Sequence, residues 1–133
     1  MVLEGRRQSL AMSNNPINLA LRFLLEMAAL AAIGYWGWQQ ASGVLRYAWA
    51  MGLPLAAAAI WGTFRVPGDA SASGKAPVAV PGLVRLAIEL AVFGFAAWGL
   101  VSEGATALGW VLGALALLHY VVSYDRILWL LRA

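Results

Sequence analysis

Four apolar runs alternate with short polar breaks along the chain, at about residues 17–38, 44–64, 82–101 and 105–124. Each is about as long as the ~20-residue helix that crosses the hydrocarbon core of a bilayer. Two of the breaks, Gln39 to Gly43 and Ser102 to Gly104, are so short that the helices they join must turn back as antiparallel hairpins. The break at residues 65–81 is different. It holds three of the five prolines together with Gly, Ser, Arg65, Asp69 and Lys75, and predicts a mobile linker between the hairpins. The pattern therefore predicts an all-α fold, an integral membrane four-helix bundle made of two tandem helical hairpins, as one domain over residues 15–133. A flexible segment, residues 1–14, precedes it.

Local signals refine each run. Asn15-Pro16 places a capping side chain before a proline at the first helical position, so the first helix begins there. Arg22 and Glu26 interrupt this run, which excludes the uninterrupted apolar stretch of a cleaved signal peptide. Met12 is an alternative start to Met1, because the residues before it are unlike the rest of the chain. Pro54 falls in the middle of the second run and predicts a kink beside the small residues Ala56 to Ala59. Ala105, Gly109 and Gly113 recur every four residues in the fourth run, a ridge over which another backbone can approach closely. Residues 125–133, with Trp129 and Arg132, read as a tail in the membrane interface.

The halves repeat. Aligning the sequence from Leu21 with that from Val84 superposes Arg22 on Arg85, Glu26 on Glu89 and Tyr35 on Trp98, at a constant offset of 63 residues. Each repeat holds two helices, so both repeats must share one orientation, related by an axis along the membrane normal. Arg6, Arg7, Arg65, Lys75, Arg126 and Arg132 fall on the side shared by the termini and linker, against Arg46 alone on the other. Short-loop charge of this kind places both termini in the cytoplasm.

Composition narrows the function classes. The chain is 62% hydrophobic and 11% charged over 133 residues, with a mean hydropathy of +0.76, far from the composition of a soluble domain. It has no cysteine, which removes disulfides, thiolate metal sites and cysteine nucleophiles together. The net charge of +3 is scattered at the ends of apolar runs and forms no basic face for nucleic acid. No phosphate-binding glycine loop, nucleophile elbow or zinc-protease motif occurs, so neither catalytic residues nor a cofactor is predicted. The seven tryptophans lie mostly near run ends and read as interface anchors.

The candidate site is a polar layer. At about 1.5 Å per residue, Glu26 lies roughly 13 Å into the first helix and Glu89 about 10 Å into the third, with both arginines one turn shallower. His119, the single histidine, comes down to a comparable level from the other direction, with Tyr120 and Tyr124 below it. Charges inside a membrane are costly and must be paired or used. The favoured reading is structural: Arg22 pairs with Glu89 and Arg85 with Glu26 across the pseudo-twofold axis, because arginine before glutamate is the weaker order within one helix. Such a protein would act through the bilayer, a homo-oligomer or a partner subunit. A second reading makes Glu26 and Glu89, with His119, a cation or proton site of a small transporter or channel, although the arginines favour both carboxylates staying ionised. A metal on two glutamates and one histidine finds no supporting ligand spacing. A third reading sets Arg22, Arg85 and His119 against an anionic lipid or hydrophobic small molecule at the inner leaflet.

The stretches NLALRFLLEMAALAAIGYWGW (Asn18 to Trp38), GLPLAAAAIWGTFRVP (Gly52 to Pro67) and RLAIELAVFGFAAWGL (Arg85 to Leu100) resemble the YrdB-like family of small bacterial four-helix membrane proteins, a family of unknown function. The resemblance covers nearly the whole chain from about Asn15. It implies the same helical membrane fold, set in the inner membrane of a bacterium, and carries no activity with it.

Overall fold

The computed structural model describes residues 15–69 and 76–133. Helix α1 spans Pro16–Gln39, and its first turn is capped as the sequence implies, the Asn15 side chain accepting from the Ile17 amide at 2.9 Å. Gly43, with φ of 64°, turns the chain into α2, Leu45–Thr63, which carries Pro54 in its interior. Two short strands follow, β1 at Phe64–Arg65 and β2 at Val78–Ala79, paired in parallel. Helix α3 spans Gly82–Ser102, a turn at Gly104 leads to α4, Thr106–Val122, and α5 covers Tyr124–Arg132.

Two of these helices, α1 and α3, are long and apolar enough to cross a membrane, and a third crossing results if α4 and α5 count as one span bent by 71°. The prediction of four such runs is thus met by two to three helices. Arg46, Tyr47 and Pro54 dilute the apolarity of α2, and α4 alone is short at 17 residues.

The central pair is α1 with α3, which lie side by side and run parallel. Repeat-related positions meet there: Gln40 Nε2 donates to Glu103 Oε1 at 2.7 Å, and Trp36 packs on Gly99, where a Cβ would come within 3.2 Å of the indole. Helix α2 packs against α1, and α4 packs against α3 while also touching α1. Gly37 lets α2 close in, since a Cβ there would lie 2.6 Å from the Trp49 carbonyl oxygen. Of the predicted ridge of small residues, Gly109 is the close contact: a Cβ there would be 2.7 Å from the Ala97 carbonyl oxygen, whereas Gly113 has ordinary room.

The apolar core joins Leu25, Ala29, Ala32 and Ile33 of α1, Phe93, Ala96 and Leu100 of α3, and Leu112, Ala116 and Tyr120 of α4. Helix α2 buries no residue and contributes only partly buried Leu53, Ala57 and Trp61.

The expected interfacial tail is the helix α5, and it turns inward. Arg126 and Leu130 are buried, and the Gly82 amide donates to the Ala133 carbonyl at 3.4 Å, so the C-terminus meets the start of α3. Both ends of the linker are likewise held, by the β1–β2 pair and by buried Asp69. Sequence readings that concern residues 1–14, including Arg6, Arg7 and Met12, and Lys75 lie outside the described residues.

Candidate functional site

The buried charges gather around one carboxylate, that of Glu89, which is completely buried on α3. Its Oε1 accepts from the Tyr120 hydroxyl and from Arg126 Nη1, each at 2.8 Å, and lies 2.7 Å from Arg22 Nη2. Its Oε2 accepts from Arg85 Nε and from Arg126 Nη2, again at 2.8 Å each. Arg126 therefore grips Glu89 through two parallel hydrogen bonds, the geometry in which guanidinium and carboxylate interact most strongly. Its Nη2 also lies 2.6 Å from Oδ2 of Asp69, which reaches in from the linker.

Local chain geometry explains each position. Arg22 and Glu26, like Arg85 and Glu89, are one helical turn apart and share a helix face. The β1 strand sets the C-terminal end of α2 beside α3, and Arg85 Nη1 donates there to the carbonyls of Trp61 and Phe64. The last carbonyls of a helix have no partner within it and carry its negative dipole end, so they attract a cation. Aromatic faces complete the enclosure: the Arg22 guanidinium lies 5.7 Å from the Trp61 ring centroid and 5.5 Å from that of Tyr120, and the Arg85 guanidinium 5.5 Å from Trp61.

The structure brings together four of the five residues singled out in the sequence, and it pairs them differently. Arg22 does reach Glu89 across the pseudo-twofold axis. The expected reciprocal pair of Arg85 with Glu26 does not form: Arg85 bonds Glu89 of its own helix at 2.8 Å, and among the described residues Glu26 receives only Arg22 Nε, at 3.0 Å. Both intrahelical pairs thus exist despite their weaker order, because Arg85 is drawn to the carbonyls at the end of α2 and Arg22 can span two carboxylates at once. Glu26 keeps 18% of its side chain exposed. His119 is buried beside Tyr120, ring centroids 5.9 Å apart, and hydrogen-bonds neither glutamate. Trp61, expected as an interface anchor, covers the guanidinium groups instead.

Arg126 and Asp69 escaped the sequence reading. Arg126 follows a membrane-length run and carries the ordinary signal of an orientation-setting charge, and Asp69 belongs to a linker rich in proline and glycine. The one local signal is that Asp125-Arg126 opens a segment, residues 124–132, long enough for two helical turns that could carry an inward face.

Among the described residues, five helices, two or three of them long and apolar enough to cross a membrane, with an ion-pair cluster buried where they meet, define an all-helical protein organised around a charged layer. Residues 20–117 match the family model described as "Protein of unknown function (DUF2568)". The chain is also 41% identical over 117 residues to the "Uncharacterized protein YrdB" of Bacillus subtilis (strain 168), covering 88% of this chain and 95% of that protein. The chain belongs to this YrdB-like family. No solved structure matches it.

Proposed function

We propose that the protein is a non-catalytic integral membrane protein that crosses a bacterial inner membrane four times, as two hairpins of one orientation with both termini in the cytoplasm. Its charged layer is a structural lock, and its role is interaction or assembly, as a homo-oligomer or the partner of another membrane subunit. The observation that carries this reading is Glu89, wholly buried with Arg22, Arg85, Arg126 and Tyr120 on its two oxygens. A carboxylate that trades protons or cations needs an unclaimed oxygen or an open approach, and Glu89 has neither. Membrane residence is supported by the outer faces of the helices, where Ile17, Leu24, Leu83, Trp110, Leu117 and Val121 are all more than half exposed. Apolar surface on this scale suits lipid contact. Thermal unfolding in detergent tests the lock: Glu89→Gln should lower the midpoint strongly, and an unchanged midpoint would remove the structural role.

One observation favours a second reading. Glu26 is partly exposed and held by a single arginine, so it is the carboxylate through which a small transporter or channel would handle a cation or proton. Ion flux in proteoliposomes that survives Glu26→Gln would end that reading. An anionic lipid at Arg22, Arg85 and His119 has less support, because both guanidinium groups are turned inward onto carboxylates or carbonyls.

A further inference from the structure

Helices α1 and α4 run antiparallel where they touch, and one hydrogen bond sets their register. Asn18 Nδ2 of α1 donates to Ser123 Oγ, just past the end of α4, at 2.7 Å, and both residues are buried. One turn along each helix from that bond, four residues forward in α1 and four back in α4, come Arg22 and His119. Both flank the same aromatic ring: the Arg22 guanidinium lies 5.5 Å from the Tyr120 centroid and the His119 ring 5.9 Å.

Each of these two side chains is only 3% exposed, and each holds a polar atom without a hydrogen-bond partner among the described residues, Nη1 of Arg22 and Nδ1 of His119. The other nitrogens of Arg22 are occupied, Nε by Glu26 at 3.0 Å and Nη2 by its 2.7 Å ion pair with Glu89, which is close but off the direction of a hydrogen bond. Leaving a buried donor and a buried acceptor unmatched costs each its full desolvation. The group that would satisfy both must accept from a guanidinium and, with the ring proton on Nε2, donate to the imidazole Nδ1. A neutral group suits the site, since the charges of the ion-paired cluster already balance: Arg22, Arg85 and Arg126 against Glu26, Glu89 and Asp69.

We infer that Arg22 Nη1 and His119 Nδ1 together bind one internal water molecule, which accepts from the guanidinium and donates to the imidazole, making the α1–α4 contact a hydrated polar seam inside the bundle. Internal waters of this kind satisfy two to four otherwise unmatched groups and act as part of the fold. The seam gives His119 a defined job as a positioning residue: through the water it fixes the guanidinium that bridges the two glutamates. The inference rests on the reading of the charged layer as closed.

The chain has one histidine, so ¹⁵N-histidine labelling gives a single imidazole, provided the protein carries no polyhistidine tag. Solid-state NMR of the full chain in lipid bilayers should show the ring proton on Nε2, with Nδ1 as a hydrogen-bonded acceptor. A cross-peak from Nδ1 to water protons should persist after the bulk solvent is exchanged for deuterated water and decay slowly. A proton on Nδ1, or an Nδ1 with no water cross-peak, overturns the water site and leaves the closed layer standing. A water signal lost at once on exchange, from a ring that follows the bulk pH, overturns the closed layer and with it the internal water.

Discussion

The two repeats begin with the same Arg-x-x-x-Glu spacing and end in different electrostatic circumstances. In the second, Glu89 is completely buried and holds three guanidinium groups and a hydroxyl; in the first, Glu26 stands at the edge of the layer, paired with Arg22 alone among the described residues. What separates them lies outside the repeated motif. Arg126 comes from α5 and grips the second repeat's carboxylate, while Asp69 comes from the linker and holds Arg126. A duplicated pair of charges has thus been divided into a fastened site and a loose one by the segments that follow α2 and α4.

The sharpest way to break this comparison is to remove the fastened carboxylate. Glu89→Gln leaves three buried guanidinium groups short of a counter-charge, and unpairing a buried ion pair costs about 3 to 5 kcal/mol. The thermal unfolding midpoint in detergent should therefore fall steeply, or the protein should fail to accumulate. Arg126→Met comes next. It leaves Glu89 with Arg22 and Arg85 but strips four charge-assisted hydrogen bonds, two from Glu89 and two from buried Asp69, for a loss of about 3 kcal/mol read from the same unfolding curves. Gly109→Leu forces α4 off α3 and should cost about 1 to 3 kcal/mol by overpacking, with the charged layer intact. Glu26→Gln should be the mildest, about 1 kcal/mol or less, as for a partly exposed pair. Equal losses for Glu26→Gln and Glu89→Gln would abolish the distinction between the repeats. A double-mutant cycle sharpens it further: Arg22 and Glu89 should couple strongly, whereas Arg85 and Glu26 should be additive within about 0.5 kcal/mol.

Much of the helical organisation was legible because it rests on local rules. Asn15-Pro16 marks the start of α1, the breaks at Gly43 and Gly104 supply the turns, and the 63-residue offset relates Arg22 to Arg85. The membership of the charged layer was legible in part, since a buried arginine or glutamate within an apolar run announces itself. Its pairing was not. Arg85 chooses among Glu26, Glu89 and the free carbonyls of Trp61 and Phe64, and that choice depends on where β1 sets the end of α2, a tertiary fact with no signature in helical spacing. Arg126 and Asp69 were hidden for a related reason. A charge next to an apolar run looks the same whether the chain leaves the bundle there or, as after Val122, bends by 71° and returns to it.

The contact of Gln40 with Glu103, and of Trp36 with Gly99, has a consequence for how such a chain can change over time. When two identical hairpins pair about a twofold axis, any residue on the axis meets its own copy. Two glutamates would repel there, and two tryptophans would hold the helices apart. Joining both hairpins in one polypeptide frees each axial position from its copy, so an amide can face a carboxylate and an indole can lie over a residue with no side chain. Covalent linkage thereby turns two self-contacts into complementary ones that fix which hairpin is which, and the unequal treatment of Glu26 and Glu89 requires that distinction.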